Sequence, residues 1–144
     1  MDTVPYDVYS RHCPARLFFD RLAESWVLLI IGLLRKEGAP LRFNDLKRRI
    51  DGISQKVLSQ KLKQLERDGL VSRELFPCVP VRVEYGLTEL GLSFAATMEQ
   101  LTGWAQQNVE AMAQAQHRYD AAQAAREAER ARPALRFVNT LPER

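Results

Sequence analysis

The chain has 144 residues, 46% of them hydrophobic and 27% charged, with a formal net charge of +3. That length holds one core-forming domain and an extension, since a chain of this size buries roughly two thirds of its unfolded surface. The longest uncharged apolar run, Trp26 to Leu34, is far below the ~20 residues of a membrane span, and MDTVPYDVYSRHCPARLF at the start has no signal-like apolar stretch, so a cytoplasmic protein is expected.

In chain order, Pro14 is placed as the first-turn proline of a short helix reaching Leu22, with Leu17, Phe18 and Leu22 as its inward face. Ser25 is positioned to cap a second helix, ESWVLLIIGLLRKEG, which is apolar nearly all round and therefore expected to be enclosed, with Gly38 as its stop. APLRF reads as a short extended piece. FNDLKRRI then sets Phe43, Leu46 and Ile50 on one stripe and leaves Lys47, Arg48 and Arg49 off it. A glycine turn in DGIS precedes Ser54, the expected N-cap of a helix ending at Gly69. Two helices joined by about four residues make a helix-turn-helix. Beyond it, LVSRELF and VRVEYGL flank PCVP as the two strands of a hairpin.

Thr88 is the expected cap of a further helix from Glu89, along which Leu90, Phe94, Met98, Leu101, Ala105, Val109 and Met112 recur at steps of three and four. From Ala111 to Arg132 the composition favours helix with little to bury except Tyr119, and Pro133 is expected to end it. PALRFVNTLPER carries no assignable pattern. The whole predicts a mainly α chain with a small β-hairpin, residues 1–112 forming a winged helix-turn-helix domain and 113–144 a helical extension and tail.

Charge is focused. From Leu41 to Arg73 there are nine Lys/Arg and four Asp/Glu, whereas the rest of the chain carries twelve and fourteen. On the helix after Ser54, Leu58, Leu62 and Leu65 share one face at about 100° per residue. Lys56, Gln60, Lys63 and Arg67 share the opposite one, flanked by Ser59. No acid lies between Lys56 and Lys63 to give the i, i+4 ion pairs of a merely solvated face. Amide, ammonium and hydroxyl groups in that order suit base edges and phosphates, so double-stranded DNA is the expected partner. Arg82, just past the wing loop, is either a charged contact to DNA or a cross-strand partner of Glu74 or Glu84.

These blocks resemble the HxlR-type winged helix-turn-helix regulators of bacteria, which are related in architecture to MarR-type repressors. The resemblance rests on CP at 13 and 14, SWVLLII at 25 to 31, RFNDLKRRIDGISQKVLSQKLKQLERDGLVSRELFPCVPVRVEYGLTELG at 42 to 91, and Trp104. It implies a homodimeric transcription regulator with N- and C-terminal helices at the dimer contact, reading a pseudo-palindromic operator. By position it carries Ser54, Gln55, Lys56, Ser59, Gln60 and Lys63 onto the recognition helix and Arg82 onto the wing, with Arg42, Arg48 and Arg49 as backbone contacts. The tail from about Ala113 has no counterpart in the family pattern. Cys13 matches a position where many members carry a cysteine that senses oxidants or electrophiles; a thiol beside a helix start, near His12 and Arg11, is suited to that role, and equally to inert packing. Cys78 in the wing loop departs from the family's usual pattern.

Other functions have less in the sequence. Phe18, Trp26, Phe94, Met98, Leu101 and Trp104 could line a dimer groove for a small-molecule inducer, though such spacing also describes plain core. A winged-helix module docking an acidic protein is the alternative to DNA. No Ser-His-Asp set, glycine-rich phosphate loop, HExxH or CxxC is present, so an enzyme is not expected. With only His12 and His117 to join the two cysteines, neither a metal site nor a cofactor is expected.

Overall fold

A computed structural model describes residues 6–136, with side chains through Arg132. The elements follow in the order α1 (Arg16–Leu22), α2 (Ser25–Glu37), β1 (Leu41–Arg42), α3 (Phe43–Arg49), α4 (Gln55–Arg67), β2 (Val71–Phe76), β3 (Arg82–Leu87) and α5 (Glu89–Arg136). The chain divides into two compact units, the first ending at Leu101 and the second beginning at Thr102.

The core of the first unit is aliphatic. Val27, Ile30, Ile31 and Leu34 of α2 meet Leu46 of α3 and Leu58, Leu62 and Leu65 of α4, closed by Ile50, Ile53, Leu70 and Val71. Each fully buried leucine or isoleucine contributes about 1.5–3 kcal/mol relative to exposure, and this cluster is what fixes the angle between α3 and α4. Ser54 sits in extended backbone and its Oγ accepts from Val57 N at 3.1 Å, starting α4 as the sequence predicts. Gly69, at φ 75°, reverses the chain after α4 at a backbone angle that L side chains rarely adopt. The Thr88 Oγ1 accepts from Gly91 N at 3.0 Å and donates to Gly69 O at 2.5 Å, so one hydroxyl caps α5 and ties it to the end of α4. Gly91 is required there: a Cβ on it would stand 2.0 Å from the carbonyl oxygen of Leu70.

Several expectations are corrected. The hairpin gains a third strand, in the order β1-β3-β2, because the extended piece APLRF supplies a two-residue antiparallel partner for β3, Leu41 opposite Tyr85 and Arg42 opposite Glu84. Ser25 is not a cap: Glu24 holds the extended cap position without a side-chain bond, its carboxylate being engaged by Lys61 Nζ. In α1, which starts at Arg16 instead of Pro14, Leu22 packs on the core as expected, while Leu17 and Phe18 keep 45% and 40% of their surface exposed. Nor is α2 enclosed all round, for Leu29 is exposed. Within α5, Phe94 and Met98 of the expected stripe pack on the core beside Gly91 and Ala95, while Leu90, Leu101, Val109 and Met112 are exposed. Finally, α5 passes Pro133 and runs to Arg136. Only three residues of α5 follow Pro133.

Candidate nucleic-acid interface

Two faces of α4 are cleanly separated. Leu58, Leu62 and Leu65 are buried, and Gln55, Lys56, Ser59, Gln60, Lys63 and Arg67 are exposed along with the cap Ser54. Among the described residues no carboxylate pairs with Lys56, Lys63 or Arg67. Positive charge beside an amide and a hydroxyl on a rigid helix is what a major groove accepts: phosphates attract the ammonium groups, and base edges pair with the amide.

The flanking basic residues behave differently. Arg48 Nη2 donates to Asp45 Oδ1 at 2.9 Å, and Arg49 Nη1 to Glu37 Oε2 at 2.7 Å, so both are partly neutralised in the free chain. Arg42 is exposed on β1. Of the two acids named as partners for Arg82, Glu84 is the one beside it, on the same strand and not across it. Its guanidinium lies over the Phe76 ring, 4.3 Å from the centroid, on the register-paired strand, and its Nε stands 3.2 Å from Glu84 Oε1 two residues along its own strand. That ion pair lacks hydrogen-bond alignment, which leaves the buried Nε without a hydrogen-bond partner. Glu74 is not its partner.

A polar network unnoticed in the sequence sets the position of α4. Arg21 of α1 donates from Nε to Asp68 Oδ2 at 2.5 Å, approaches Glu24 at 3.8 Å, and meets the amide oxygen of Gln64 when that amide is turned toward it. Asp68's hydrogen bond, opposed by burial and aided by the charges of Asp68, Glu24 and Asp20, raises the Arg21 pKa above its ordinary value. Because the shift is upward, the contribution of this guanidinium is complete below arginine's ordinary range and is lost only in strong alkali. The signal was present as Gln64 and Asp68 at i, i+4, with Lys61 three residues earlier. Asp68→Ala is expected to cost about 1–3 kcal/mol in urea unfolding, since both partners are nearly buried and Arg21 keeps only Glu24 and Gln64. A loss below about 0.5 kcal/mol would make the network ornamental.

The other singled-out residues are scattered. Cys13 is buried, 9% exposed, and Cys78 is exposed in the wing loop with its Sγ donating to Pro80 O at 3.2 Å. Phe18 and Phe94 face each other at 6.3 Å, Trp26 packs on the core, Met98 is inside it, and Leu101 and Trp104 are exposed. Among the described residues no three His, Cys, Asp or Glu side chains gather as a metal site would, and no helix is long and apolar enough to cross a membrane.

Helices α3 and α4 at a tight turn, followed by a hairpin and an outward polar helix face, define a winged helix-turn-helix protein. Comparison with known proteins narrows the class. The model of the HxlR-like helix-turn-helix family matches residues 21–113, and the chain belongs to that family of transcriptional regulators. An uncharacterized HTH-type transcriptional regulator, YtfH, of Escherichia coli (strain K12) is 39% identical over 103 residues, covering 72% of this chain and 80% of that protein. Among solved structures, the transcriptional regulator ytfH from Salmonella typhimurium superposes with a TM-score of 0.68 at 35% identity, over 76% of this chain and 96% of the other. Diamide-treated YodB from B. subtilis gives 0.58 at 37% identity, over 68% and 96%.

Proposed function

We propose that the protein is a homodimeric, sequence-specific DNA-binding regulator in which α4 enters the major groove of each half of a pseudo-palindromic operator. The observation that carries this reading is the outer face of α4, which carries no acid from Gln55 to Leu65. Lys56, Gln60 and Lys63, with Ser59, are the base-reading set; Ser54, Gln55 and Arg67 meet the backbone at the two ends of the helix; Arg42, Arg48, Arg49 and Arg82 add phosphate contacts. Pairing with a second copy is supported by apolar side chains that each unit leaves in water: Leu17, Phe19, Leu90 and Leu101 in the first, Trp104, Val109 and Met112 in the second. A two-fold dimer places its recognition helices about 34–36 Å apart, one DNA turn, or a multiple of it. Residues beyond the matched region, from 114 onward, are an extension to this core.

The switch in this reading is Cys13, modified by oxidants or electrophiles. It lies next to α1, whose apolar face is among those offered to the second copy, so an adduct on a buried thiol there would disturb the pairing on which two-site binding depends. One relative, YodB from B. subtilis, has a crystal structure in its diamide-treated form, and diamide is a thiol oxidant. In a Cys78→Ser background, a quinone should lower duplex affinity at least about tenfold, and adding Cys13→Ser should remove that effect, with peptide mass spectrometry reporting the quinone adduct. Unchanged affinity with Cys13 fully modified would remove the switch and leave the DNA reading intact.

A further inference from the structure

Helix α4 is held to the rest of its unit in two chemically different ways. Leu58, Leu62 and Leu65 anchor it to the core through contacts that are non-directional and tolerate a small turn of the helix about its own axis. Lys61, Gln64 and the C-cap Asp68, spaced i, i+3 and i+7, line one flank, roughly 60–120° round from Leu58. All three find partners where α1 ends and α2 begins. Arg21 donates from Nε to Asp68 Oδ2 at 2.5 Å and from its two Nη groups to the Gln64 amide oxygen at 2.6 and 3.0 Å, with that amide turned toward it. Glu24 engages Lys61 Nζ and stands 3.8 Å from Arg21. The Arg21 and Asp68 side chains are only 12% and 11% exposed, and a planar guanidinium bonded along more than one edge has a fixed direction.

Rotation of α4 matters on its far side. At the ~5–6 Å radius of a helix with its side chains, a turn of about 10° carries the tips of Lys56, Gln60 and Lys63 by about 1 Å, whereas a productive contact tolerates about 0.5 Å. Attraction to phosphates changes far more gently with distance. We infer that Arg21 and Glu24 are positioning residues for sequence recognition: they lock the rotation of α4, and so act on discrimination between duplexes more than on binding as such. This rests on the DNA reading above and extends the reading apparatus to the end of α1, outside the helix-turn-helix.

The readout is the ratio of affinities for a selected duplex and its scrambled version, taken on the full chain below the unfolding transition of every variant. Arg21→Met, which keeps the hydrocarbon stem and loses the fork, and Asp68→Asn should each lower that ratio about tenfold while scrambled-duplex affinity stays within about threefold. The double variant should lower it no further than either single one, because both break the same contact. Lys61→Met, on the more exposed arm of the clamp, should lower it about threefold and serves if Arg21→Met does not fold. Ile30→Val, a core change that removes no polar contact to α4, should leave the ratio within about twofold. A ratio unchanged by Arg21→Met and Lys61→Met, with the parent discriminating, overturns the inference and leaves the DNA reading standing. An equal fall of the ratio in Ile30→Val makes the clamp a structural brace only and also overturns it. A parent protein that does not discriminate removes the DNA reading itself, and the inference with it.

Discussion

Leu58→Ala is expected to lower the unfolding free energy by about 2–5 kcal/mol, seen as a fall in the urea midpoint at fixed protein concentration. Leu58 is fully buried, and with Leu62 and Leu65 it is the means by which α4 is held on α2 and α3. Removing three carbons from such a site leaves a cavity as well as losing transfer free energy. Lys63→Ala, on the opposite face, is expected to change stability by no more than about 0.5 kcal/mol. Similar losses from both would mean that α4 does not have the two faces described.

The second large effect belongs to that outer face. The double variant Lys56→Glu, Lys63→Glu should reduce duplex affinity by more than a hundredfold while leaving the unfolding transition in place. Each lost contact of this kind is worth about 1–3 kcal/mol, and a dimer loses each of them twice. The stretch from Gly52 to Leu65 has no acid, so the change replaces a positive face with a repulsive one. Electrophoretic mobility shift at two salt concentrations reads both the loss and its electrostatic origin. An affinity within about threefold of the parent would place the DNA-binding surface elsewhere.

What the sequence disclosed follows from which interactions are local. The start of α4 at Ser54, its end before Gly69 and the cap at Thr88 are decided within three or four residues, and each is in place. The leucine stripe of α4 is likewise a periodicity within one element, and it put the polar stripe on the outside. Missed features depend on partners far along the chain. APLRF reads as extended from the sequence, but its place in the sheet depends on Leu41 pairing with Tyr85. Asp68 finds Arg21 across 47 residues. Gly91 has a role only because Leu70's carbonyl presses against it. The stripe on α5 illustrates the converse limit: Leu90, Leu101, Val109 and Met112 have core-like spacing, and a single chain gives them no cover. Periodicity reports a face that is apolar, not what it is buried against.

For the candidate site, the outer face of α4, with no acid from Gln55 to Leu65, was legible because charge patterning on one helix needs no tertiary information. The states of Arg48, Arg49 and Arg82 were not, since Asp45, Glu37, Glu84 and Phe76 decide them through the fold. Arg21 was not singled out at all, because Gln64 and Asp68 reach it only through the fold.

The most direct test of the central claim, that α4 reads DNA sequence, is the affinity of the purified protein for a duplex selected from a random pool and for a scrambled version of it, titrated in salt. The selected duplex should bind at least about 10³-fold more tightly at physiological salt, both affinities should fall steeply as salt rises, and Gln60→Ala should narrow the ratio between them. Equal affinity for the two duplexes, or no binding to either at low salt, would contradict it.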